Sequence, residues 1–293
     1  MRLGRLGERG TEIPVLHAGG TVFDLRSITD DLDGAFFARG GTALVREAHG
    51  VGALAELPDA MSLRVGAPIA RPGKVVCIGL NYRDHAAETG ADLPAEPIVF
   101  LKDPMTLVGA YDEVRIPRGS TKTDWEVELG VVIGSEVRYA ASPEEAIRHV
   151  AGYAVSHDVS EREFQLERGG QWGKGKSCET FNPFGPTLVT VDEIEDPQAL
   201  ALRLVVNGVV RQEGTTADMI FPVAHLVWYL SQFMVLYPGD VINTGTPAGV
   251  ALGIPDTPGL APRPARASPR RRLSDSHSPT RRRMNPPRSL RHP

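Results

Sequence analysis

Residues 122–134 read KTDWEVELGVVIG, and no other stretch says more about the fold. Side chains alternate between the faces of a β-strand, so Glu126 and Glu128 would point to the same side. The apolar residues would then face a hydrophobic core, namely Val127, Leu129, Val131 and Ile133. A carboxylate pair on a solvent-facing strand needs no further explanation, whereas a pair held close together in a buried place needs a cation. The local sequence leaves both interpretations open.

The composition of the 293-residue chain is that of an ordinary soluble globular protein, with 41% hydrophobic and 23% charged residues. Its longest apolar runs fall far short of the roughly 20 residues that span a membrane. No apolar segment of a secretory signal follows the basic start. The two cysteines, Cys77 and Cys178, do not form a metal-binding pattern, and a reducing cytoplasm suits them. We therefore expect a cytoplasmic protein without a membrane segment.

Strand signals dominate the chain, and the sequence predicts a β-rich α+β fold. Residues 74–79 (KVVCIG) are typical of a buried strand. Two apolar strands flank Asn207-Gly208, the pair that a two-residue hairpin turn prefers. The clearest amphipathic helix is predicted over Phe221–Phe233.

Three regions are predicted along the chain. Residues 1–70 form a small N-terminal domain with strands over Glu12–His17 and Thr21–Leu25 and a helix over Thr42–Ala55. Residues 71–253 form a larger second domain, which contains all the candidate site residues.

Residues 254–293 differ sharply from the rest in composition and charge. They contain nine Pro and ten Arg against two Asp, a charge of +8 that leaves −12 for the remainder. Such a segment buries too little apolar surface to offset its ordering entropy, so we expect disorder. Basic tails can bind nucleic acid, but this one has neither aromatic residues nor periodicity. We expect no nucleic-acid partner.

A third carboxylate, Asp158, follows the short apolar strand predicted over residues 152–157. A carboxylate at a strand end suits a hard cation such as Mg²⁺. The polar segment after it, VSEREFQLER, is predicted to be a helix, so the alternative is that Asp158 or Ser160 is the N-cap of that helix.

His85 and Glu88 are three residues apart in a predicted helical turn that Gly90 ends. At this spacing the carboxylate can hydrogen-bond the imidazole and raise its basicity, as in a general base that activates water. A surface ion pair would have the same sequence pattern. The position directly after a buried strand favours a functional site.

Residues 170–177 (GQWGKGKS) match the phosphate-binding-loop pattern letter for letter. That motif needs an apolar strand before it and a helix after it, whereas here a charged segment precedes and Asn182-Pro183 follows. We therefore expect no nucleotide site. Lys176 remains a candidate for a cation beside an anionic intermediate.

Residues 243–250 (NTGTPAGV) are rich in small and hydroxyl side chains. Small residues let a backbone approach a ligand closely, and Thr246 and its neighbours could hold a carboxylate. A tight loop without a ligand is the alternative.

Taken in order, six segments resemble the fumarylacetoacetate hydrolase family: GLNYRDHAAETG, EPIVFLK, KTDWEVELGVVIG, GYAVSHDVSERE, QWGKGKSCETFNPFGP and LYPGDVINTGTPAGV. The resemblance extends from about Pro72 to Gly253. The leading 70 residues also resemble those of a branch that cleaves 2,4-diketo-3-deoxy sugar acids. Relatives in that branch are often labelled ureidoglycolate lyase or hydroxyheptadienedioate isomerase.

The resemblance implies a mixed β-sandwich roll, commonly a homodimer, and a role for each motif. Its implied site residues are the metal ligands Glu126, Glu128 and Asp158 for Mg²⁺ or Mn²⁺, the water-activating pair His85 and Glu88, the catalytic Lys176, and the substrate contacts Arg83, Gln171 and Thr246.

The implied activity is metal-dependent hydrolysis of a carbon–carbon bond in an acylpyruvate, a small 2-oxo acid, with release of pyruvate. Isomerisation or decarboxylation of a related 2-oxo acid would use the same enolate, so both remain alternatives. The family normally continues after GTPAGVALG with further strands, and this chain instead enters its Arg/Pro segment. We therefore expect those strands to be missing, and a catalytically silent protein is a further alternative.

Overall fold

The computed structural model describes residues 1–254 and 257–261. The strands are β1 Arg2–Leu6, β2 Ile13–Ala18, β3 Thr21–Asp24, β4 Val75–Gly79, β5 Ile98–Lys102, β6 Leu107–Gly109, β7 Thr123–Asp124, β8 Val127–Ile133, β9 Val150–His157, β10 Ser160–Glu161, β11 Asn182–Thr190, β12 Ala201–Val206, β13 Val209–Thr215 and β14 Val241–Asn243.

The helices are short. They are α1 Gly34–Ala38, α2 Gly41–Gly50, α3 Arg83–Thr89, α4 Pro143–Ala146, α5 Gly173–Lys176 and α6 Val223–Ser231, with a π-helix over Glu163–Glu167 and a 3₁₀ turn over Ala251–Gly253. In the described ranges, no helix has the length and apolar character that crossing a bilayer requires.

One mixed sheet organises the molecule. Its strand order is β3-β2-β1-β11-β9-β8-β14-β4-β5, and β6 pairs with β11 as the tenth strand. β14 runs parallel to β4 and antiparallel to β8, so β14 and β8 lie side by side at the centre. The β-rich α+β prediction is confirmed.

Both faces of β8 are buried. Val131 and Ile133 pack in a core that includes residues of α6, whereas Val132 packs in a second core that includes residues of α1 and α2. The predicted core-facing residues of this strand are therefore buried, as expected. Solvation of the carboxylate pair is the wrong interpretation, because Glu126 is only 5% and Glu128 only 1% exposed.

Several local predictions hold. Strand β4 matches the predicted buried strand, and the hairpin of β12 and β13 turns at Asn207 and Gly208, both with positive φ. Helix α3 ends at Gly90, which takes the left-handed conformation expected of a C-terminal glycine.

Other predictions are wrong. The segment after Asp158 forms the short β10 and a five-residue π-helix rather than a regular α-helix, because Ser160 and Glu161 pair with β7. The helix predicted over Thr42–Ala55 is present as α2, and its end differs, at Gly50 instead of Ala55.

Strand β1 has no counterpart in the sequence-based prediction. It pairs with β11, so the first three strands extend the large sheet and share its second core. The domain boundary near residue 70 stays a prediction.

Most of the segment predicted to be disordered, residues 254–293, lies outside the described residues. Leu260 is described and is 5% exposed, and its amide donates to the Thr123 carbonyl at 2.6 Å. Leu260 packs in the main core. The expected disorder of the segment as a whole stays a prediction.

Candidate active site

Three buried carboxylates meet at the end of the β8–β9 pair. Val127 faces His157 across the antiparallel ladder, and the Asp158 amide donates to the Glu126 carbonyl at 3.0 Å. This register brings Asp158 beside Glu126 and Glu128, which precede it by 32 and 30 positions in sequence. One oxygen from each of Glu126, Glu128 and Asp158 lies within 4.8 Å of the others.

Two lysines border the carboxylate cluster. Lys176 Nζ donates to Glu126 Oε2 at 2.8 Å and to Asp158 Oδ2 at 2.9 Å. Lys102 Nζ pairs with Asp158 Oδ1 and also donates to the Val159 and Phe181 carbonyls. Both side chains are almost fully buried. N-capping is therefore the wrong interpretation of Asp158, because its carboxylate is held by two lysines and the next element after it is the short strand β10, not an α-helix.

The surroundings shift the pKa values of the two glutamates in opposite directions. Burial raises the pKa of Glu128 well above its usual 4.5, and the Asp158 and Glu126 charges raise it further. Burial acts in the same direction on the pKa of Glu126, but the Lys176 and Arg162 charges outweigh it and hold that pKa below its usual value. The surroundings therefore favour the ionised form of Glu126 and disfavour the ionised form of Glu128.

The donor set fits a hard divalent cation. Glu128 accepts a hydrogen bond from the Gly245 amide at 2.9 Å and makes no ion pair with any residue of the described ranges. A divalent ion would supply the positive charge that the Glu128 carboxylate lacks, and carboxylate oxygens are the ligands that Mg²⁺ and Mn²⁺ prefer. The three carboxylates could hold such an ion.

His85 and Glu88 lie on α3 as the predicted pair. His85 Nδ1 is 3.3 Å from Glu88 Oε2, and Glu88 Oε1 accepts from the Gly249 amide at 2.9 Å. Glu88 is thus held from two sides and can orient the imidazole. With Nδ1 bound to Glu88, the imidazole Nε2 is the atom that can take a proton.

The loop after β14 closes the site. Gly245 has φ +94°, and a Cβ there would lie 2.8 Å from Asn81 Cβ, so glycine is required for the amide that reaches Glu128. The Thr246 hydroxyl donates to the Val127 carbonyl at 2.8 Å and accepts from Gln212 at 2.7 Å. The loop is thereby fastened to β8.

A cavity of about 230 Å³ brings most of the predicted residues together. Its lining includes His85, Glu126, Glu128, Lys176 and Thr246. Asp158 is not among the lining residues, but it accepts a hydrogen bond from Lys176, which is.

Two predicted substrate contacts are not among the residues that line the cavity. The Arg83 guanidinium donates to the Met219 carbonyl at 3.0 Å, and Gln171 is exposed beside the lining residue Trp172. Their role in substrate binding stays a prediction. The phosphate-loop pattern forms only the four-residue α5, preceded by a π-helix rather than a strand.

Sequence reasoning missed three charged residues around the cluster. Arg162 Nη2 lies 2.7 Å from Glu126 Oε1 and 2.8 Å from Asp124 Oδ2, and Lys102 pairs with Asp158. A signal existed for Lys102 alone: in EPIVFLK the lysine ends an apolar strand. In the structure the exposures are the reverse of what the residue types suggest, because Leu101 is exposed and Lys102 is buried.

Comparisons with known proteins show the family of the chain. Residues 74–281 match the sequence model described as fumarylacetoacetate (FAA) hydrolase, C-terminal. A Burkholderia multivorans protein, provisionally named a hydrolase, is 50% identical over 260 residues, covering 88% of this chain and 90% of its own. The chain belongs to the fumarylacetoacetate hydrolase family.

Solved structures show the same fold. A Mycobacterium smegmatis protein, provisionally named HpcE, matches with a TM-score of 0.80 and 38% identity over 89% of this chain and 92% of its own. Maleylpyruvate hydrolase from Sphingobium sp. SYK-6, in complex with manganese(II) and pyruvate, matches with a TM-score of 0.70 and 27% identity over 85% and 90%.

Proposed function

We propose that this chain is a Mg²⁺- or Mn²⁺-dependent hydrolase that cleaves a carbon–carbon bond in acylpyruvates and releases pyruvate. The observation that carries the proposal is the convergence of three buried carboxylates with His85 and Lys176 around one cavity. The similarity to a hydrolase that binds manganese(II) and pyruvate supports it.

Each residue would have a distinct part in the hydrolysis. Glu126, Glu128 and Asp158 would hold the ion, which supplies Lewis-acid stabilisation of charge on the 2-oxo acid oxygens. His85 would take a proton from the water whose oxygen adds to the distal carbonyl. Lys176 would stabilise the resulting oxyanion.

Bond cleavage would then complete the reaction. The bond between the acyl carbon and the adjacent methylene breaks, and its electron pair becomes the enolate of pyruvate. Return of the proton taken by His85 to that enolate carbon would give pyruvate, and the acyl carbon would leave as a carboxylic acid. The same enolate serves isomerisation and decarboxylation, so the products decide between these reactions.

Burial and charge favour Lys176 as the oxyanion partner. Burial lowers the pKa of Lys176, but the Asp158 and Glu126 charges outweigh it and raise that pKa above its usual value. The ammonium therefore stays charged near neutrality. The cation lies 5.2 Å from the centre of the Phe100 ring, which helps fix its direction.

Product analysis with metal-stripped protein tests the proposal. Adding Mg²⁺ or Mn²⁺ should restore pyruvate and carboxylic acid in equal amounts from a panel of acylpyruvates. Glu126→Gln and Asp158→Asn should each abolish this activity and weaken metal binding by at least about tenfold. Glu136→Gln, which changes an exposed carboxylate, is the matched control.

Other products would identify another reaction. An isomer without pyruvate, or carbon dioxide, would assign the site to the alternative chemistry. Unchanged metal affinity in both ligand variants would remove the metal assignment. The homodimer, the cytoplasmic location and the choice between Mg²⁺ and Mn²⁺ stay predictions, of which sedimentation and metal titration test the first and the last.

A further inference from the structure

The cavity has a charged inner end and an apolar outer wall. Glu126, Glu128 and Lys176 are buried at its inner end. The lining also contains six larger apolar side chains: Ile78, Leu80, Phe100, Leu166, Trp172 and Leu252. Its other polar members are His85, Thr89, Arg162, Gln165 and Thr246.

Two of the apolar lining residues are exposed at the cavity mouth. Leu166, on the π-helix, is 44% exposed, and Leu252, on the 3₁₀ turn, is 51% exposed. The Asp124 carboxylate holds that turn by accepting from the Ala251 and Leu252 amides at 2.7 and 3.1 Å. These hydrogen bonds fix the backbone of Leu252, so its side chain is exposed at the mouth in a defined position.

The aromatic part of the wall is also fixed. A Cβ at Gly79 would lie 2.5 Å from Trp172 Cζ3, so the glycine leaves room for the indole against the end of β4. Trp172 packs against Phe100 with ring centres 5.4 Å apart. The wall is thus an ordered apolar surface.

The cationic residues of the lining already face carboxylates. Arg162 pairs with Asp124 and Glu126, Lys176 with Glu126 and Asp158, and His85 with Glu88. Within the described ranges, no cationic lining residue is left to pair with a second carboxylate at the outer end. Among these described lining residues, a negatively charged acyl terminus beside Leu166 and Leu252 would have no cationic partner, which is unfavourable.

We propose that the acyl group accepted here is a short, uncharged alkyl chain. The inference rests on the proposed acylpyruvate hydrolysis and specifies its substrate class. It departs from the sugar-acid resemblance, because the side chains of Leu166 and Leu252 offer no hydrogen-bond partner to the hydroxyl groups of such substrates. A cavity of about 230 Å³ is smaller than the roughly 300–1,000 Å³ of pockets that hold drug-sized ligands, so the chain is short.

Matched substrate pairs test the inference in the metal-loaded, full-length protein. Pyruvate release is followed for acylpyruvates from acetyl to hexanoyl, each longer member beside one of equal length that ends in a carboxylate. We expect kcat/KM to rise roughly threefold or more per methylene until the cavity is filled. The carboxylate member should be at least about 30-fold poorer than its neutral partner. Equal or better turnover of the carboxylate members would overturn the inference.

A charge added at the cavity mouth provides the second test. Leu166→Arg should lower the preference for the neutral member at least about tenfold, because it places a cation beside the acyl terminus. Met105→Arg adds the same charge at a 73% exposed position outside the lining and should leave the preference unchanged. Leu166→Gln separates the loss of apolar surface from the gain of charge. An unchanged preference in Leu166→Arg would contradict the inference.

Binding distinguishes failure of the inference from failure of the proposed function. If no acylpyruvate is cleaved, the proposed hydrolysis is wrong, and calorimetry with metal-loaded protein then tests the wall alone. 2-Oxohexanoate should bind more tightly than 2-oxoadipate, which has the same length and a second carboxylate. Equal or tighter binding of 2-oxoadipate would overturn the inference whether or not the protein is an enzyme.

Discussion

Glu128→Gln should change how the stability of the metal-free protein depends on pH. Burial and the charges of Asp158 and Glu126 raise the pKa of Glu128 well above 4.5 in the folded protein. The folded state therefore keeps a proton that the unfolded chain has already released. The stability that this proton contributes is complete below pH 4.5 and is lost as the pH rises towards the folded-state pKa.

The magnitude follows from a single proton. A difference of one bound proton changes the free energy of unfolding by about 1.4 kcal/mol per pH unit. Between pH 5.5 and 7.5 the wild-type protein should lose up to about 2.7 kcal/mol relative to Glu128→Gln. Glu126 contributes no opposing slope there, because its lowered pKa acts only below 4.5.

Urea unfolding in the presence of a chelator, at several pH values, measures this difference. Glu136→Gln should follow the wild-type protein, because that carboxylate is exposed. Wild-type and Glu128→Gln curves that stay parallel from pH 5.5 to 7.5 would refute the reasoning. Calorimetry in two buffers gives an independent reading, since metal binding should release close to one proton in the wild type and almost none in Glu128→Gln.

Three further variants test the catalytic pair, a missed charge and the described part of the C-terminal segment. His85→Ala should lower kcat for pyruvate release by roughly 10²–10⁴ with the fold intact by circular dichroism, and a full rate would remove His85 from the mechanism. Lys102→Met should lower the free energy of unfolding of the metal-free protein in urea by roughly 3–5 kcal/mol, and Mn²⁺ should restore part of the loss. If Lys102→Met with chelator is as stable as the wild-type protein, the buried ion pair does not contribute as described. Leu260→Ala should lower the free energy of unfolding by about 2–4 kcal/mol. Leu93→Ala, at a 56% exposed position, should change it by no more than about 0.5 kcal/mol. Equal effects of the two substitutions would show that Leu260 does not contribute to the core.

The sequence-based predictions are correct where neighbouring residues decide the structure and wrong where strands distant in sequence pair. The Asn207-Gly208 hairpin and the stop of α3 at Gly90 depend on backbone preferences of a few neighbouring residues, and both were predicted. Strand β1 depends on pairing with β11, about 180 residues away in sequence, and was missed. The helix predicted after Asp158 gave way to pairing with β7 for the same reason.

By itself, the sequence determined which residues could form a metal site and a general-base pair, and, through six motifs in order, the family. Only the tertiary structure decided that Glu126 and Glu128 are buried and that Asp158 lies beside them. It also placed Lys102 and Arg162 on the same carboxylates and Leu166 and Leu252 at the cavity mouth. The physical reason is that the pKa and the preferred partner of a carboxylate depend on burial and on charges brought close by strand pairing, and residues distant in sequence supply both.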